Sequence, residues 1–179
     1  VKTLTLLRHA KSGWDDAVAR DFDRPLNTKG RKAAHAVGRH LKSLGVTFDH
    51  IVASPAQRVV ETIAEVSDGF GSAIEPAWDK RLYLASAATL LDVARETPAE
   101  ATSLLMIGHN PGLEDFVLLL LQDGDESLVS AVEEKYPTGT VAELTFAVDD
   151  WARIAPQAGT LTRFVRPRDL DPAFEPDED

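Results

Sequence analysis

The sequence contains no cysteine. That absence removes disulfides, thiolate metal sites and cysteine nucleophiles, and it fits a cytoplasmic compartment. No apolar run approaches the ~20 residues needed to span a bilayer, and a strand-like segment begins too early for a secretory leader, so neither membrane anchoring nor translocation is expected. Positive charge is also scarce. The formal net charge is −10, half of it in residues 168–179, which hold six acids against one base. The rest of the chain is only mildly acidic and offers no basic stripe, so DNA and RNA are not expected partners. Arginines gathered at one place would be a local device.

What remains is ordinary globular material. A length of 179 residues with 44% hydrophobic and 27% charged residues can bury a real core without staples. We expect a single domain over residues 1–167. The acidic, proline-containing tail 168–179 has little to bury except Phe174 and is expected to be disordered.

Three times the chain runs from a strand through a connection into a helix. Residues 2–7 alternate into apolar, β-favouring side chains and stop at Arg8-His9. After Ser12 a polar segment, residues 13–27, shows no sustained period and is read as a loop over the crevice, longer than a plain connection needs. Thr28 is the expected N-cap of a helix whose apolar positions Ala34, Val37, Leu41 and Leu44 recur at helical spacing, with Gly45 as its stop. His35 and His40 lie on this helix without sequence partners and are read as structural or exposed. A second strand, residues 50–53, breaks at Ser54-Pro55 into a helix running to about Ser67, with Pro55 in its first turn and Arg58 one turn on. A possible short strand at residues 74–78 and a helix capped near Ser86 follow. The third strand, residues 103–107, runs into Gly108-His109-Asn110-Pro111-Gly112, where the glycines would let the backbone approach a ligand, and then into a helix from Leu113 to about Gln122. Residues 123–137 read as an acidic loop with one helical piece, 128–134. Two late strands, 140–148 and 161–165, have no clear helix between them, which predicts an antiparallel or edge addition to an otherwise parallel α/β sheet.

In an open α/β sheet the carboxyl ends of the strands form the ligand crevice. The pattern therefore predicts that Arg8, His9, Arg58 and His109 meet there. Two imidazoles and two guanidiniums suit phosphoryl transfer through a phosphorylated histidine: one neutral imidazole attacks phosphorus, and fixed cationic forks hold the equatorial oxygens. His9 is the natural nucleophile because it shares a rigid strand end with Arg8. Arg8 and Arg58 would clamp the phosphoryl oxygens, His109 would donate a further hydrogen bond, and Asn110 offers a neutral donor. The two cations also oppose protonation of His9.

These residues carry a resemblance. Leu7-Arg8-His9-Ala10-Lys11-Ser12, Arg24-Pro25-Leu26-Asn27, Ser54-Pro55-Ala56-Gln57-Arg58 and Gly108-His109-Asn110-Pro111 together resemble the histidine phosphatase superfamily, most closely its SixA-type phosphohistidine phosphatase branch. The resemblance implies a phosphoglycerate mutase-like, three-layer α/β sandwich with a mixed, mostly parallel sheet and helices on both faces. It also implies a phosphohistidine intermediate on His9, hydrolysis by water, and no metal or other cofactor. Arg8, Arg58 and His109 carry over as the phosphate pocket, and Lys11 matches a motif position as a further substrate-binding residue. A monomer is expected. The departures bear on the substrate. Larger branches supply a carboxylate as general acid; here Asn110 stands where one branch has an acid, and the region matching the other offers only Asp79, with Tyr83 as a weaker candidate. A missing acid is tolerable for a leaving imidazole, and short connections leave the site open to a protein. The expected substrate is accordingly phosphohistidine on a phosphotransfer protein. The alternatives are a phosphomonoesterase or mutase acting on a small metabolite, which a carboxylate near the leaving oxygen would favour, and a non-catalytic phosphate-binding module.

Overall fold

A computed structural model of the chain describes residues 1–13 and 20–174. Seven strands form one sheet in the order β3-β2-β4-β1-β6-β7-β5. The central pair is β1 (Lys2–Arg8) and β4 (Ser103–Gly108), parallel and in register from Thr3 opposite Ser103 to Arg8 opposite Gly108. On one side β2 (His50–Ala53) and β3 (Ala77–Trp78) continue the parallel order. On the other, β6 (Val141–Phe146) runs antiparallel to β1, and β7 (Gly159–Val165) antiparallel to β6. The antiparallel addition expected for the two late strands is therefore present.

Alternation along the central strands builds the layers. Leu4, Leu6, Leu104 and Met106 point into one core with α3 (Ala87–Arg95), α4 (Gly112–Leu120) and α5 (Glu126–Glu134). Leu7, Leu105 and Ile107 point into the other, against α1 (Thr28–Ser43) and α2 (Gln57–Phe70). Both faces of β1 and β4 are covered, which is why β4 reads as a near-continuous apolar run. Helices α1 and α2 approach so closely that a Cβ on Gly38 would fall 2.1 Å from the Val66 carbonyl oxygen.

Several boundaries differ from the expectations. Asn27, not Thr28, caps α1: its side chain accepts from the Gly30 amide at 2.8 Å. Pro55 lies outside α2, whose N-cap is Ala56, and the helix continues past Ser67 to a left-handed stop at Gly71. The apolar run 116–121 hides a change of state. Helix α4 ends at Leu120 and β5 (Leu121–Gly124) takes over, pairing in parallel with β7. Uniform hydrophobicity carries no period with which to tell a buried helix end from a strand start. Gly112 brings the start of α4 against the Ala85 carbonyl rather than against an open ligand space.

The expected disorder from Arg168 onward is corrected for residues 168–174. They form α6 (Pro167–Leu170) and a 3-10 turn at Pro172–Phe174. Asp169 accepts from the Arg166 amide at 2.8 Å and from its guanidinium, and Leu170 packs on the core beside α1 and α2. Residues 175–179 lie outside the described residues, as do positions 14–19 of the polar loop. Among the described residues no helix is long and apolar enough to cross a membrane.

Candidate active site

Strand β1 ends by delivering His9, and everything around it serves to fix that ring. The His9 amide donates to the Gly108 carbonyl at 3.1 Å, and its own carbonyl accepts from Gly139 at 2.9 Å. The Ala10 amide donates to Thr62 Oγ1 at 2.9 Å, and Thr62 in turn donates to the Arg58 carbonyl at 2.7 Å, tying the nucleophile's loop to α2. The ring is oriented by Nδ1, 2.7 Å from the Ala10 carbonyl. A carbonyl only accepts, so Nδ1 carries the proton and Nε2 keeps its lone pair.

Arg58 reaches that lone pair from the first turn of α2, with Nε 3.4 Å from His9 Nε2. It is buried, only 2% exposed. His109 follows β4, and its ring centroid lies 5.3 Å from that of His9. Arg8 Nη1 donates to the Tyr136 carbonyl at 2.9 Å, which also accepts from Asn110 Nδ2 at 3.0 Å. All four expected residues, with Lys11 and Asn110, line one cleft of about 660 Å³. Asn110 is thus tied to the backbone of Tyr136 as well as facing the cleft.

Burial is the largest cause holding the His9 pKa well below that of a free histidine; the cations Arg8 and Arg58 add to it against the opposing Ala10 hydrogen bond. His109 is likewise displaced by burial first and then by Arg58, down to about 3. Both imidazoles are therefore neutral near pH 7, the state a nucleophile and a hydrogen-bond partner require.

Asp79 is not part of this arrangement, contrary to its reading as a possible general acid. It caps a short turn and pairs with Arg81 at 2.7 Å, whose hydrogen bonds lower its pKa and keep it ionised. Among the described residues the carboxylate that does line the cleft is Asp21, from the polar loop. Its Oδ2 accepts from Arg58 Nη2 at 3.0 Å and from the Tyr83 hydroxyl at 2.6 Å, its Oδ1 from Arg24 at 3.0 Å, and its backbone carbonyl from Arg58 Nη1 at 2.8 Å. Partial burial raises its pKa, but the hydrogen bond from Tyr83, the charge of Arg58 and its hydrogen bond outweigh this and bring it to about 2. Tyr83 also sets its ring edge-on to His109, with centroids 5.4 Å apart. Sequence reading missed Asp21, Thr62 and Ser54. The one available signal was the unusual length of the loop that carries Asp21.

His35 and His40 lie away from this cluster on the outer face of α1, where both line a separate cavity of about 690 Å³. His35 pairs with Asp68 at 3.0 Å. Among the described residues, His35, Glu65 and Asp68 are the one group with donor atoms close enough to share a metal ion, and none of the three belongs to the cleft.

Comparison with known proteins decides the family. The model of the histidine phosphatase superfamily (branch 1) matches residues 4–83. An uncharacterised protein of Mycobacterium tuberculosis is 30% identical over 164 residues, spanning 90% of this chain and all of the relative. The chain belongs to the histidine phosphatase superfamily. Within it the SixA-type branch is the match. The structure of a protein from Nakamurella multipartitia that carries the name phosphohistidine phosphatase SixA is similar with a TM-score of 0.77 and 29% identity, covering 93% of this chain and 96% of that one. A protein of the same name from Agrobacterium tumefaciens gives 0.75 and 28%, over 93% and 99%. The fold is that of the phosphoglycerate mutase-like histidine phosphatases, and the chain is a phosphatase.

Proposed function

We propose that this phosphatase hydrolyses phosphohistidine on a phosphotransfer protein, with His9 as the nucleophile. His9 Nε2 attacks phosphorus, the phosphorus–nitrogen bond to the substrate imidazole breaks, and that nitrogen takes up a proton as it leaves. Water then attacks phospho-His9, releasing inorganic phosphate and restoring the imidazole. Arg8, Arg58 and His109 hold the three oxygens of the transferring group, and Lys11 and Asn110 border its approach. Catalysis by such positioning and charge stabilisation needs little other chemistry from the protein. The observation that carries this reading is the geometry of His9: Nδ1 is pinned to a carbonyl at 2.7 Å while Nε2 faces Arg58 at 3.4 Å.

Asp21 favours a second reading. A carboxylate in the cleft is what a phosphomonoesterase needs to protonate an alkoxide, a step typically worth ~10²- to 10⁴-fold. Against it, Asp21 is bound by two arginines and a tyrosine and holds no proton near neutral pH. The experiment is a substrate panel with an acid-quench trap. A phosphorylated histidine domain should be consumed faster than sugar phosphates, through an acid-labile phosphoenzyme absent in His9→Ala. Preference for the sugar phosphates would transfer the assignment to the second reading, and label retained in His9→Ala would remove His9 as nucleophile.

A further inference from the structure

Ser54 directly follows β2 at the Ser-Pro break, and its side chain is completely buried. Its Oγ lies 2.8 Å from Nε2 of His109 and 3.3 Å from the backbone nitrogen of Ala56. The Ala56 N–H can only donate, so the Ser54 oxygen accepts there. A serine hydroxyl also has one proton to place, and a buried proton without an acceptor is costly. Among the described residues the only remaining partner of Oγ is His109 Nε2. For Nε2 to accept, it must be the unprotonated nitrogen of the neutral ring, and the ring proton must then sit on Nδ1. That nitrogen is buried and has no hydrogen-bond partner among the described residues. In the opposite tautomer the Ser54 proton would lack an acceptor, and Nδ1 would hold an unpartnered lone pair on a ring that lines the cleft with Arg8 and Arg58.

We infer that Ser54 is a positioning residue that fixes His109 as its Nδ1–H tautomer, so that the ring meets the transferring phosphoryl group with a donor rather than a lone pair. The structural part of this inference concerns the free protein; its catalytic consequence rests on the function proposed above. The fixing works as in other histidine sites, where the hydrogen bond made by one ring nitrogen decides the state of the other. Ser54 itself touches no substrate. Its effect is transmitted wholly through His109.

The test is nitrogen NMR of the histidine rings in the full chain, with His109 assigned by its loss in His109→Gln. Wild type should show a protonated Nδ1 and an unprotonated Nε2. Ser54→Ala should populate the other tautomer and lower kcat by about 10²- to 10³-fold, the scale on which single oxyanion donors act, with KM changed far less. Ser54→Thr, which keeps the hydroxyl, should restore both. A wild-type ring protonated on Nε2 overturns the inference whatever the turnover, and so does a Ser54→Ala ring that keeps the wild-type tautomer. Because the ring is read without substrate, failure of the tautomer assignment is distinguishable from failure of the phosphohistidine reading.

Discussion

Acidification should destabilise this protein through its active site before ordinary carboxylate loss begins. His109 is neutral in the fold, with a pKa pushed to about 3 by burial and by Arg58, whereas in the unfolded chain it titrates near ~6.5. The sign follows from proton counts. Above the unfolded value neither state binds the proton and the group is silent. As pH falls below it the unfolded chain takes up a proton that the folded ring refuses, so stability is lost, and the loss continues until the folded value is reached. Between pH 8 and pH 5 the linkage amounts to roughly 2 kcal/mol for His109. His9, displaced in the same direction by its burial, steepens the fall. The assay is urea unfolding of wild type and His109→Gln at half-unit steps from pH 8 to pH 5. The variant should lose about 2 kcal/mol less over that range. Parallel curves for the two proteins would refute the claim that His109 is held neutral.

Other perturbations test separate parts of the account. Arg58→Ala should lower turnover by on the order of 10³-fold, as for other cations that neutralise a transferring phosphoryl group; near wild-type rates would remove Arg58 from the site. Asp21→Asn should reduce stability at pH 7 by roughly 1 kcal/mol, the linkage value discounted for a side chain 38% exposed. That difference should shrink as pH falls below ~4 toward 2, where the native carboxylate would itself protonate. Gly38→Ala places a methyl 2.1 Å from a backbone carbonyl oxygen on α2 and should cost about 2 kcal/mol or more by thermal denaturation. Truncation after Arg168 removes the Asp169 cap and the Leu170 contact, and should lower stability by roughly 1–2 kcal/mol, where an unstructured tail would leave it unchanged.

The parts legible in the sequence are those governed by local rules. Strand ends at Arg8, Ala53 and Gly108 could be read because apolar, β-favouring runs stop abruptly there, and the α/β order then places the following residues at one sheet edge. Arg58 was legible because a helix that starts at a strand's carboxyl end projects its first turn toward that edge. The misreadings come where neighbours in space decide. Nothing local tells Asn27 from Thr28 as a cap, and the all-apolar run before β5 has no period to read. The tail reads as unstructured because its own composition buries little, yet Leu170 finds a core assembled from α1 and α2. Asp79 and Asp21 exchange places for the same reason. Sequence matching put a carboxylate between Arg58 and His109, whereas the tertiary fold pairs that one with Arg81 and brings another in from a loop more than thirty residues upstream of Arg58.

The exchange also explains how a site with a buried arginine, Arg58, can wait for substrate. Arg58 is almost fully enclosed, and a buried cation lacking a counter-charge is strongly destabilising. In the resting protein Asp21 supplies that charge, with Tyr83 and Arg24 holding its carboxylate in place. An incoming phosphoryl group brings negative charge of its own to the same guanidinium, so Asp21 and substrate compete electrostatically for Arg58. Product phosphate is subject to the same competition, which favours its departure. Asp21→Asn removes the competing charge while keeping an oxygen for the Tyr83 hydroxyl, and should therefore tighten inorganic phosphate several-fold as measured by inhibition, with turnover slowed where release is limiting. Weaker phosphate inhibition in the variant would mean that Asp21 acts only by holding Arg58 in position, and the competition argument would fail.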